Sequence, residues 1–164
     1  MRYKKIKKLV EEIIQPSLFF IKRSRGRSNT PFKEIELILN IFFPKTKHHE
    51  SGKGYWKHVF VIHSGKKKLV LKMGRSKRSI QKDFTTYNRT CKRLNKRKAN
   101  RYFAKIYWRT DLSMLQKYGR RVRIPRSELE KLKKVGESVG LKDIRNANIM
   151  KFGKQFRIVD AERK

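Results

Sequence analysis

Two short apolar runs, Val59-Phe60-Val61-Ile62 and Leu69-Val70-Leu71, stand on either side of Ser64-Gly65. A turn dipeptide between two runs rich in β-branched residues predicts an antiparallel hairpin over about 57–64 and 67–73. The stretch that follows, 77–94, changes period: Ile80, Phe84, Tyr87, Cys91 and Leu94 fall on one helical stripe. Further strand-like segments run over Phe103 to Trp108 and through Met114-Leu115, with a turn near Asp111. Strands that bracket a single helix, with a helical segment beyond them, predict an α+β fold.

The flanking regions complete the order. Over 2–14, Tyr3, Ile6, Leu9, Val10, Ile13 and Ile14 recur at helical spacing with lysines between them, and Pro16 closes the pattern. This helix is expected to pack on the domain by that apolar stripe. A polar linker over 22–30 leads to Thr30-Pro31, which reads as a cap and a first-turn proline opening an apolar helix to about Phe43. Ser127 and Glu130 form a capping-box pattern that predicts a helix start, with Leu129, Leu132, Val135 and Val139 inward and Gly140 at the end. Two last strands, about 148–151 and 156–159, are joined by Phe152-Gly153-Lys154.

Charge then limits the partners. The 164 residues carry 46 Lys+Arg against 13 Asp+Glu, a formal net charge of +33. With 37% hydrophobic and 11% aromatic residues, the chain has the means to bury a core, so it is not a disordered basic tail. Such a surface attracts polyanions: nucleotides, nucleic acid or an anionic membrane. One cysteine, Cys91, excludes an internal disulfide framework and a cysteine-based zinc site and fits a reducing, cytoplasmic setting. The best apolar run, Ile35 to Phe43, contains Glu36 and Asn40 and stops at Pro44, well short of a membrane span.

The residues that carry chemistry come in a fixed order. Gly52-Lys53-Gly54-Tyr55-Trp56-Lys57-His58-Val59 has the spacing of a glycine-rich loop over phosphates, with a valine placed to pack on an adenine ring. Lys72 ends the second apolar run, where an amine can reach phosphates under that loop. Downstream, Asp143 stands in the frame Asp-x-x-x-x-Asn-apolar-apolar, closed by Asn148-Ile149-Met150. Asp160 follows two apolar residues, Ile158 and Val159. Phosphoryl transfer uses a carboxylate near the acceptor hydroxyl, with an amide and a second carboxylate holding magnesium on the phosphates. The chain has four aspartates, at 83, 111, 143 and 160, and two of them fall on this frame.

In these motifs the chain resembles the protein-kinase-like superfamily over about residues 47–164. It is most similar to its small divergent members: RIO-type kinases, aminoglycoside and choline phosphotransferases, and lipopolysaccharide core sugar kinases. The resemblance implies a minimal kinase-like fold: a small antiparallel N-lobe sheet with one inward helix and a reduced C-lobe, preceded by two N-terminal helices. Its parts would be a helical extension at 1–45, an N-lobe at 46–119 and a C-lobe at 120–164. It further implies ATP and Mg2+ as ligands, with Gly52, Gly54 and Val59 covering the nucleotide. Lys72 would contact the α/β-phosphates and pair with Asp83, and Gln116, Lys117 and Tyr118 would form the adenine hinge. Asp143 would be the catalytic base, with Asn148 and Asp160 the magnesium ligands.

The chain departs from the family pattern in four places. Leu141-Lys142 precedes Asp143 where the family carries a histidine, and Lys57 replaces the third loop glycine. Asp83 stands for the usual glutamate, and four residues follow Asp160, leaving no activation segment.

Two other classes stay open on the residues alone. One is a non-catalytic nucleic-acid-binding protein using Arg120, Arg121, Arg123, Arg126 and the cations from Lys92 to Arg109. The other is a basic scaffold without nucleotide. For Tyr102, Phe103, Tyr107 and Trp108, interleaved among those cations, core packing is the expectation.

Overall fold

In strands β2 (Lys57–Ser64) and β3 (Lys67–Gly74) the apolar alternation decides which side faces inward. Phe60, Ile62, Leu69, Leu71 and Met73 are all buried, while Val59, Val61, Val70 and Lys72 lie on the opposite face. The computed structural model describes residues 2–16, 30–50, 57–74, 77–142, 144–160 and 162–163. The chain is α+β, as the bracketed helix suggests, and forms two units. The first comprises residues 1–80 and 106–116, the second 81–105 and 117–164.

The first unit is built on a five-stranded sheet. Strand β1 (Lys47–Glu50) pairs antiparallel with β2, and β2 with β3 through eight consecutive residue pairs. After the crossover, β4 (Ile106–Arg109) and β5 (Ser113–Lys117) close a hairpin whose register shifts between Ile106 and Trp108. The sheet order is β1-β2-β3-β5-β4, so β5 lies beside β3.

Two helices share a core with the sheet's apolar face. Helix α1 (Arg2–Leu9) continues into a π-helical turn at Val10–Ile14 and contributes Ile6, Leu9, Val10 and Ile14. Of the expected stripe, Ile14 is buried but Ile13 is exposed, because the wider π-turn from Val10 changes the spacing at which residues face inward. The end of α1 is tied down by Gln15, whose side-chain amide donates to the hydroxyls of Thr110 and Ser113. Helix α2 (Thr30–Phe42) inserts Phe32, Ile35 and Leu39. Its far end is held by polar bonds. Glu36 Oε1 accepts from the His48 amide at 2.7 Å, and the Asn40 amide donates to the Thr46 carbonyl at 3.1 Å.

The outer face of this sheet carries one titrating group with a resolved bias. Burial first, and then Lys68, Lys45 and Lys47, hold the His63 imidazole below its ordinary value of 6.5. Lys68 is the cross-strand partner of His63. The fold therefore favours the neutral ring. Its contribution is complete above about pH 6.5 and erodes as the pH falls further, where the unfolded chain takes up the proton first. Melting scans between pH 7.5 and 5 are expected to show wild type losing more stability than His63→Gln, with the gap narrowing as salt screens the lysines. Parallel curves for the two proteins would show that His63 does not contribute.

Helix α3 (Lys77–Leu94) starts in the first unit and runs into the second. Of its expected stripe, Ile80 is buried and Phe84, Tyr87, Cys91 and Leu94 are half-buried, and Thr86 and Thr90 are buried beside them. The Thr90 hydroxyl escapes the cost of burial by donating to the Thr86 carbonyl at 2.9 Å. A further helix, α4 (Lys96–Tyr102), occupies the segment before the expected strand, leaving Phe103 as an isolated bridge to Ile158. Phe103 lies in the second core, and Tyr102 packs against it. Tyr107 and Trp108 pack on the first core.

Helix α5 (Arg126–Ser138) corrects the capping-box reading. The N-cap is Pro125, at φ −60° and ψ 144°, and its carbonyl accepts from the Leu129 amide at 3.0 Å. Ser127 is thus already inside the first turn, because the proline ring presets the backbone that a serine cap would otherwise supply. Gly140 terminates the helix at φ +76°, a conformation costly for any residue with a Cβ. Strand β6 (Leu141–Lys142), a 3-10 turn (Asn146–Asn148), β7 (Ile149–Phe152), β8 (Gln155–Ile158) and β9 (Glu162–Arg163) complete the unit. β7 pairs with β8, and β6 with β9.

Candidate functional site

The first group of candidate residues is gathered on the outer face of β2 and β3. Val59 lies directly opposite Lys72, and Val61 opposite Val70. In an antiparallel ladder, paired residues project to the same side, so the lysine emerges from an apolar surface made by valines. Lys72 is 6% exposed. Among the residues whose burial is described it is the one lysine or arginine that is buried. Taking an ammonium group out of water costs free energy unless negative charge or strong acceptors face it.

The same end of the sheet carries the ends of the glycine segment. Glu50 pairs with His58, and Lys57 with Gly74, two residues past Lys72. The chain therefore leaves β1 and enters β2 at the end of the sheet nearest Lys72. Gly52 and Gly54 themselves fall outside the described residues. Strand β5, beside β3, ends in Gln116, which is buried, then exposed Lys117. Gly74 N donates to the Leu112 carbonyl at 2.8 Å and secures the turn into β5.

Behind this sheet edge, imidazole rings fill the core. His48 Nε2 and His58 Nδ1 are 3.0 Å apart, one ring nitrogen donating and the other accepting. His58 stacks on Phe32 and His48 on Phe60. These histidines are accounted for by packing and by each other.

In the second unit, Asn148 and Asp160 stand at the same end of the β7–β8 hairpin. Ile149 pairs with Ile158, and Val159 N donates to the Asn148 carbonyl at 2.9 Å, so Asn148 adjoins the last rung and Asp160 follows one residue beyond that bond. Both are half-buried. The chain from β6 to β7 is held at its other end as well, where Lys142 pairs with Glu162. Asp143 lies in this connection but outside the described residues. Asn148 N donates to the Arg145 carbonyl at 2.9 Å, and Asn146 Oδ1 accepts from the Ile124 amide at 3.3 Å. Asp83 is half-buried on α3 in this unit. Tyr118 is half-buried and begins the unit's second segment with Lys117, whose amide donates to the Lys105 carbonyl at 2.9 Å.

Three supporting residues went unread in the sequence. Val70 shares a face with Lys72, which the alternation in Leu69-Val70-Leu71-Lys72 would have revealed. Gly119 follows Tyr118, and a Cβ there would stand 2.6 Å from the Met150 Cβ and from the Phe152 ring. Gly136 leaves the space that the Ile144 side chain fills, one residue after position 143. No sequence signal marks either glycine as a packing residue, because their partners are distant in the chain.

No protein-family model matches the chain, and no curated protein matches it.

Proposed function

We propose that the chain is a kinase-like phosphotransferase that binds ATP with magnesium and transfers the γ-phosphoryl group to an acceptor hydroxyl. The observation that carries this reading is Lys72: a buried lysine on the central strand, near the end of the sheet where β1 stops and β2 begins, set among valines. A purine ring and a phosphate chain together need such a surface, apolar for the base and cationic for the anion. The antiparallel sheet, with the long helix α3 and the short α4 between its third and fourth strands, is compatible with the same fold reading.

Asn148 and Asp160 offer hard oxygen donors at one hairpin end, a donor set that suits magnesium. When bound, that ion neutralises phosphate charge. In this reading Asp143 accepts the acceptor's hydroxyl proton as its oxygen bonds to the γ-phosphorus. The bond from that phosphorus to the β,γ-bridging oxygen then breaks, and ADP departs. Lys72 holds the α/β-phosphates, and Asp83 is its partner. A non-catalytic nucleic-acid binder is the second reading, favoured by Arg120, Arg121, Arg123 and Arg126, all exposed within seven residues.

A thermal-shift titration separates the two. Ligand at a hundred times its dissociation constant stabilises the folded state by about 2.7 kcal/mol. Wild type is expected to gain several degrees with ATP plus magnesium and less with either alone, and Lys72→Met to lose most of that gain. No response to Mg-ATP, with a clear rise on adding duplex DNA, would move the function to the second reading.

A further inference from the structure

Helix α2 presents large apolar residues outward. Leu37 is 67% exposed, Ile41 76% and Phe42 53%. The inward side is already occupied by Phe32, Ile35 and Leu39, and the rotation of the helix is locked by the bonds from Glu36 to His48 and from Asn40 to Thr46. Lys33, Leu37 and Ile41 recur every four residues and so form one line along the outer face. Exposed Lys33 stands at the start of that line. Glu34 is the one exposed carboxylate on the same turns.

We propose that this face of α2 docks on an anionic lipid surface, with Leu37, Ile41 and Phe42 entering the acyl boundary and Lys33 meeting a headgroup phosphate. Charge selects this occupant. A second copy of the chain would bring another +33 to the contact, whereas an acidic bilayer offers the opposite sign and accepts separate apolar side chains without a shaped pocket. No helix among the described residues is long and apolar enough to cross a membrane, so the contact is one of surface seating. The inference goes beyond the phosphotransfer reading and does not depend on it.

The test is co-sedimentation of the full chain with vesicles of phosphatidylglycerol and phosphatidylcholine, or of phosphatidylcholine alone, at about 0.15 M salt. Wild type is expected to pellet with the anionic vesicles. Leu37→Gln/Ile41→Gln is expected to bind at least about tenfold more weakly, with its melting temperature unchanged because both side chains are exposed. In a Cys91→Ala background, a polarity-sensitive dye on Leu37→Cys should shift to the blue on adding the same vesicles, an independent reading of insertion. The proposal is overturned if wild type ignores the vesicles, if the double variant binds as well as wild type, or if the dye does not shift. Sedimentation showing a vesicle-free dimer that Leu37→Gln/Ile41→Gln dissolves would overturn it in favour of a second copy.

Discussion

Asp143→Asn is expected to lower phosphate transfer by about 10²–10⁴-fold, the usual contribution of a general base, while Mg-ATP binding stays nearly intact. The reason is a division of labour along the chain. A base acts on the acceptor hydroxyl and has no part in holding the nucleotide. A carboxylate that shares a magnesium ion with the phosphates does hold it, so Asp160→Asn should weaken Mg-ATP binding as well as transfer. Labelled ATP, offered with the protein itself or with cell-extract components as acceptor, reads transfer, and thermal shift reads binding. A wild type no faster than Asp143→Asn, with nucleotide still bound, would leave the pocket structural or regulatory. Loss of folding in Asp143→Asn would make residue 143 a turn residue.

Phe60→Ala should cost about 3–5 kcal/mol, the range for removing a buried aromatic ring. Phe60 is 0% exposed, lies in the core formed with α1 and α2, and stacks with His48 at 4.7 Å between ring centroids. The cavity would open beside the hydrogen-bonded imidazole pair, which cannot close it without giving up that bond. Chemical denaturation of Phe60→Ala and of Leu37→Ala gives the contrast, since the exposed Leu37 should change stability by less than about 0.5 kcal/mol. A Phe60→Ala loss below 1 kcal/mol would mean the ring is not a supporting element of the sheet.

The elements that proved legible are those whose burial follows from their own residues. Strands β2 and β3 announce themselves through alternating apolar side chains, and helix α3 runs from Lys77 to Leu94 as the periodicity predicts. Strand β1 could not be read, because Lys-His-His-Glu has no apolar alternation and is a strand only through its pairing with β2. Helix α4 buries Ala99 alone and so has no stripe. Its one local signal is Asn95, whose side chain accepts from the Lys98 amide at 2.9 Å. Ser127 misled because a serine three residues before a glutamate looks the same whether or not a proline has already begun the helix.

For the site, the motifs gave the residue types and their order, but no motif could single out one lysine among 46 cations. Burial did so, and burial is a property of the sheet's register: one slipped residue would exchange Lys72 for Leu71 at that face.

The connection from Lys142 to Asn148 is fastened at both ends to the same stretch of backbone, by the β6–β9 pairing and by the Val159–Asn148 bond. A segment fastened at both ends has fewer arrangements left to give up. Settling around a nucleotide would therefore cost little conformational entropy, and more of the contact free energy would appear as affinity. The same fastening makes the two short strands interdependent. A perturbation at Glu162 is felt at Lys142, so the last residues of the fold serve as a brace for the loop that holds the candidate base.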